Sequence, residues 1–144
     1  MKVINKQILK LCPNFSPLEN WGDLSKINPA LIVLLQTLRT GLGKSIYINN
    51  AFETGGHSDK SQHYIGNAAD FTVDRGRNFV SIYQNIMLIL ESVEMDHQVG
   101  FGAYPYWKTS GFHIDVRSER ARWAMDKQGD YVGIDIAMHD FKYA

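Results

Sequence analysis

Two histidines and two aspartates fall in a pattern that suits a divalent cation. His63 and Asp70 stand seven positions apart in KSQHYIGNAADFTVD, and His113 and Asp115 stand two apart in GFHIDVR. If His63, Asp70 and His113 converge, they form a three-ligand zinc site with a fourth position open to water, the arrangement of catalytic rather than structural zinc. Such an ion lowers the pKa of water toward about 7 and polarises carbonyl groups, so hydrolysis is the chemistry it favours. Gly66, Ala68 and Ala69, between the first two ligands, allow the backbone to fold closely around an ion. On a strand, His113, Asp115 and Arg117 share one face, and Phe112, Ile114 and Val116 share the other.

The elements that must position these residues are mixed α and β. INPALIVLLQTLRTGLG reads as a helix capped by Asn28, with Pro29 at its first position and Gly41 or Gly43 as its stop. Its leucines recur at helical spacing, so one side faces a core. SIYINNAF reads as a strand and leads into the polar loop ETGGHSDKSQ. ADFTVD alternates as a half-buried strand, and NFVSIYQNIMLILESV is a helix apolar nearly all round, as expected of one laid across a sheet. QVGFGAYPYW and SGFHIDVRS read as two more strands joined by a turn. In the tail, ERARWAMDKQGDYVGIDIAMHDFKYA, a short helix, a turn at Gly129 and an irregular end are expected.

Composition narrows the function classes. The 144 residues suit a single domain, 1–144, large enough to bury a core without covalent staples. Fifteen Lys and Arg balance fifteen Asp and Glu, so no net field draws the chain to nucleic acid or to an anionic membrane. Cys12 is the single cysteine, which excludes an intrachain disulfide and a cysteine-based zinc cluster. The longest apolar runs, ALIVLL and IMLIL, are too short to span a bilayer. MKVINKQILKLCP is too interrupted by polar residues for a secretory leader, so synthesis in the cytoplasm is expected. A monomer is expected as well.

SQHYIGNAAD matches the pattern S-x-H-x-x-G-x-A-x-D, and GFHIDVR supplies a histidine between apolar residues followed by aspartate. In these two motifs the chain resembles the zinc D-alanyl-D-alanine carboxypeptidases, a family that includes murein endopeptidases and phage endolysins and shares its fold with the hedgehog domain. The likeness runs from about Phe15 through LQTLRTGLG and YINNAF to RARW. It implies an α+β fold, with a small antiparallel sheet carrying the zinc site and helices packed on its other side. It implies zinc held by His63, Asp70 and His113, with Ser61 as a hydroxyl that fixes the loop or supports the ligands. The implied substrate is the stem peptide of peptidoglycan or another D-Ala-containing peptide. A phage-encoded member would act on the wall after release, and any other would act in the cytoplasm.

The chain departs from that family at two positions. Many members place an arginine that stabilises the oxyanion just after the preceding strand, where this chain has Glu53. Several place the general base three positions before the last ligand, where this chain has Ser110. Asp115 can serve as base or as partner of a ligand, and Glu53 is a second candidate base. Arg117 or Lys60 can supply the missing positive charge. His57, His97 and His139 carry no motif and read as surface residues, with His57 and His97 as potential neighbours of the site. Tyr104, Tyr106, Trp107 and Trp123 read as core and cleft wall, or as a groove for a peptide strand. Arg75, Arg77, Arg120 and Arg122 read as solvated. The expected activity is hydrolysis of an amide bond in the peptidoglycan peptide. The alternative is an inactive, zinc-stabilised binding module of the same fold.

Overall fold

A computed structural model describes residues 2–143. Among these described residues the architecture is α+β, with four α-helices and a six-stranded mixed sheet. In chain order the elements are α1 (Lys2–Lys10), α2 (Pro29–Leu42), β1 (Ile46–Asn50), β2 (Ala68–Val73) and α3 (Phe79–Ser92). There follow β3 (Val99–Tyr104), β4 (Gly111–Val116), β5 (Ala121–Met125), β6 (Tyr131–Val132) and α4 (Ile134–Lys142). The strands lie in the order β1-β2-β4-β3-β5-β6.

The helix over 29–42 forms as its end signals dictate. The Asn28 side chain accepts a hydrogen bond from the Ala30 amide, Pro29 opens the helix, and Gly43 closes it in the left-handed region at φ 63°. Leu31, Leu35 and Leu38 are fully buried. Alternation then sorts the sheet into two faces. Ile48, Phe71, Phe101, Phe112 and Ile114 join the buried helix residues in one hydrophobic cluster. α3 lies over this face: Phe79 stacks on Phe112 at 4.4 Å between ring centroids, and Tyr83 meets Phe101 at 6.2 Å. The opposite face carries Asp70, His113 and Asp115, because β2 and β4 pair with Asp70 opposite His113 and Ala68 opposite Asp115.

The structure departs from the sequence-based expectations in four places. The sheet is not wholly antiparallel, since β5 runs parallel to β3, with Gly102 beside Trp123. The segment expected to form a short helix is the strand β5, and the expected irregular end is β6 followed by α4. β2 is buried at all six positions rather than half-buried: it lies between β1 and β4, Asp70 is enclosed by His63 and His113, and Thr72 accepts from Asn49 Nδ2 of β1. Arg122 is not solvated: its side chain is only 5 % exposed, and it donates to the carbonyl of Val99 and to the carboxylate of Asp96. Among the described residues, no helix is long and apolar enough to cross a membrane.

Gly66 shows how closely the site loop is fitted. It ends a short 3₁₀ turn, Gln62–Ile65, at φ 74°, and a Cβ there would overlap the Lys26 carbonyl. Neither the dihedral nor the space admits a side chain. Gly66→Ala is therefore expected to cost roughly 2–3 kcal/mol in urea unfolding of the metal-free protein.

Candidate metal centre

His63 sits in the 3₁₀ turn whose first amide-accepting group is Ser61, the Oγ of which accepts from the His63 N–H at 3.2 Å. Ser61 thus fixes the loop, one of the two roles the sequence offered it. Asn28, the cap of α2, donates through Nδ2 to Asn67 Oδ1, and its own amide donates to the Gly66 carbonyl, tying this loop to the helix. The ring is oriented from behind: His63 Nδ1–H donates to the Ala51 carbonyl at 2.7 Å. A carbonyl can only accept, so Nδ1 carries a proton, and Nε2 is the nitrogen left to offer a lone pair to an ion. That Nε2 is shielded from solvent and has no hydrogen-bond partner.

The unpaired nitrogen faces the carboxylate of Asp70, with Nε2 3.3 Å from Oδ1. His113 Nδ1 lies 3.0 Å from the same Oδ1. A donor atom from each of the three residues falls within 4.8 Å of the others. Ligands at about 2.0–2.2 Å from a tetrahedral zinc ion stand about 3.4 Å apart, so the spacing fits one ion. His63 is 1 % exposed, Asp70 and His113 8 % each. Burial pushes the Asp70 carboxyl up, but the hydrogen bond with the His113 ring and the charge beside it overcome this and hold Asp70 well below the usual carboxylate range. It is therefore an anion at neutral pH, as a metal ligand must be.

His113 is held by a second carboxylate. Its Nε2–H donates to Asp115 Oδ2 at 2.7 Å, leaving Nδ1 to face Asp70. Asp115 in turn accepts from Arg117, Nε to Oδ1 and Nη2 to Oδ2, both at 2.6 Å. Burial raises the Asp115 pKa, and the hydrogen bonds from Arg117 and His113 outweigh it, holding the carboxyl down at about 2. For His113, burial favours the neutral ring, yet its hydrogen bonds to the accepting carboxylates of Asp115 and Asp70 prevail and raise its pKa. β3 makes room for this chain of contacts with glycine: a Cβ at Gly100 would sit 2.5 Å from both Arg117 Nε and Asp115 Oδ1, and one at Gly102 would overlap the Trp123 indole.

The three ligands form part of the floor of an open cleft of about 780 Å³. Tyr104, Trp107, Trp123 and Tyr131 line it opposite the loop bearing His57 and Lys60. Tyr104 and Trp107 stack at 4.3 Å, and Trp123 Nε1 donates to the Tyr104 hydroxyl at 2.8 Å. Burial raises the Tyr104 pKa, so the phenol stays protonated. Tyr106 is absent from this wall and packs on Phe141 instead.

The remaining sequence candidates fall as follows. Both Asp115 oxygens are engaged, so its geometry is that of a partner of the His113 ring rather than a group facing water in the cleft. Arg117 lines the cleft but commits Nε and Nη2 to Asp115. Glu53 does not line the cleft; its Oε1 accepts from Asn50 Nδ2 and lies 3.2 Å from His57 Nε2. Ser110 donates to the Pro105 carbonyl. His97 is exposed and away from the cleft. His57, flagged only as a neighbour, stacks on His63 with ring centroids 4.2 Å apart.

Fold and site together define an α+β domain that presents a buried two-histidine, one-aspartate ligand group on the sheet face away from its helices. No family model, curated protein or solved structure matches the chain.

Proposed function

We propose that this chain is a zinc-dependent peptidase that cuts an amide bond in the peptide part of bacterial peptidoglycan, beside a D-amino acid. The observation that carries the reading is the ligand group itself. Three buried donors spaced for one ion, including a solvent-shielded nitrogen with no partner, lie in the floor of an open cleft. The substrate class is supported by the resemblance of SQHYIGNAAD and GFHIDVR to the D-alanyl-D-alanine carboxypeptidases.

His63, Asp70 and His113 would hold the zinc. When bound there, it supplies Lewis acidity that polarises a scissile carbonyl and acidifies water. Asp115 keeps the His113 proton on Nε2 and the ring fixed, and Arg117 cancels the Asp115 charge. Lys60 and the exposed part of Arg117 give the cleft positive charge suited to the carboxylates of a stem peptide. Tyr104, Trp107 and Trp123 offer an apolar wall against which an extended peptide can lie. The chain acts as a monomer in this reading and needs neither nucleic acid nor membrane insertion.

Incubating purified peptidoglycan with zinc-loaded protein and analysing the products by mass spectrometry tests this. New peptide fragments are expected, absent with chelator and reduced at least a hundredfold in His113→Ala. An unchanged digest from protein carrying stoichiometric zinc would overturn the hydrolase. One observation favours a second reading: of the two carboxylates offered as bases, Asp115 is fully engaged and Glu53 lies outside the cleft lining. A zinc-held binding module of the same fold would then sediment with peptidoglycan, dependent on zinc, without releasing fragments.

A further inference from the structure

The three-ligand group leaves a second nitrogen without a role. His57 Nε2 is shielded from solvent and makes no hydrogen bond, although its side chain is 25 % exposed as a whole. Its nearest acidic neighbour is Glu53 Oε1, at 3.2 Å. Adjacent ligands of an ion bound at about 2.1 Å stand about 3.0–3.4 Å apart, so this pair is spaced as two ligands of one cation.

That cation is not the one held by His63. The His57 and His63 rings are stacked, with planes only 11° apart and centroids 4.2 Å apart. An imidazole binds an ion through a lone pair in its own plane. Planes lying side by side do not meet at an ion bound within about 2.1 Å of each ring. A His63 nitrogen lies within 4.8 Å of the Glu53 and His57 donors, yet the ring orientation keeps its lone pair from their ion. Moreover, His63 Nδ1 is taken by the Ala51 carbonyl, so only Nε2 remains, and that atom is 3.3 Å from Asp70.

We propose that Glu53 and His57 form a second divalent-cation site, adjacent to the His63, Asp70 and His113 group and separate from it. The chain then takes two ions. With two protein ligands and water completing its shell, the second site is the weaker and fills after the first. Imidazole with carboxylate suits zinc and its first-row neighbours rather than calcium. This site does not depend on the cleft cutting peptides. It does place a second positive charge next to the first, on the side where the chain has a glutamate.

Native mass spectrometry of metal-stripped full-length protein, titrated with zinc alone, reads the number of ions directly, and competition with a chromophoric chelator gives each affinity. The wild type is expected to take two zinc ions in separate steps. Glu53→Gln keeps an acceptor for Asn50 and is expected to take one, with the first affinity within about threefold of wild type. His57→Ala should behave alike. His113→Ala is expected to lose the tighter step and keep the weaker. One ion in the wild type, retained in Glu53→Gln and lost in His113→Ala, would overturn the second site while leaving the first intact. Two ions in Glu53→Gln would also overturn it, placing the second ion elsewhere. Should His57→Ala fail to fold, as judged by circular dichroism, the near-isosteric Glu53→Gln substitution decides alone.

Discussion

Zinc at a thousandfold excess over its dissociation constant is expected to raise the midpoint of thermal unfolding by roughly 8–16 °C. An ion that binds only the native state stabilises it by about 4 kcal/mol at that excess, and for a chain of this size each kcal/mol moves the midpoint by about 2–4 °C. The metal-free fold has clear reason to gain. It buries a histidine nitrogen with no partner and an aspartate whose charge is offset only by imidazoles. An ion placed among the three donors satisfies both, whereas the unfolded chain cannot hold them within 4.8 Å of one another. Asp70→Asn, His63→Ala and His113→Ala are each expected to reduce the shift to 2 °C or less. Calorimetric melts with zinc and with chelator measure it. A full shift retained in Asp70→Asn would show that the stabilising ion sits elsewhere on the chain.

Much of this site was legible because two strands carry it and strands have a simple period. Alternation alone put His113, Asp115 and Arg117 on one face, and antiparallel pairing of β2 with β4 needed only the register to bring Asp70 opposite His113. α2 was equally plain, since Asn28, Pro29 and Gly43 are local signals that act where they stand. β5 was not. Its sequence, ARWAM, has no strict alternation of polarity, since Arg122 is buried against Asp96 and Trp123 lies on the cleft side. Its parallel pairing with β3 depends on contacts between segments about twenty residues apart that no local signal encodes. The role of Asp115 was also unreadable: base and ring partner need the same residue on the same face, and only the two hydrogen bonds from Arg117 separate them. The His57 and His63 stack lies beyond any periodicity, because His57 sits in a polar loop.

The glycines of β3 belong to the same chemistry. Gly100 and Gly102 carry nothing onto the cleft face, and the Arg117 guanidinium and the Trp123 indole lie across the vacated positions. The guanidinium carbon is 5.6 Å from the centre of the Trp123 ring, so the indole steadies the cation that steadies Asp115. Sequence marks these positions as two small residues in a strand; the structure shows that their smallness admits Arg117, Asp115 and Trp123 beside the candidate ligands.

The hold of Arg117 on Asp115 sets the last expectation. Asp115 is fully buried, with its charge balanced by Arg117 and shared with His113. Removing Arg117 strands the buried Asp115 carboxylate, but the guanidinium is itself 29 % exposed and water can partly replace it, so the cost is about 1.5–3 kcal/mol. Arg117→Ala is therefore expected to lose that much stability in urea unfolding of the metal-free protein. Loosening the hold on His113 should also weaken zinc binding by about 10- to 100-fold, the usual effect of disturbing a group that orients a ligand. Combining Arg117→Ala with Asp115→Asn removes the stranded charge and should recover part of the stability. It should recover little of the zinc affinity, because an amide oxygen accepts from His113 Nε2–H more weakly than a carboxylate. Recovery of one quantity without the other separates the electrostatic role of Arg117 from the orienting role of Asp115. An Arg117→Ala protein as stable as the wild type would mean that water reaches Asp115 and that the guanidinium is dispensable. A double variant that binds zinc as tightly as the wild type would mean that Asp70 and His63 suffice to fix the ion, with His113 free to turn.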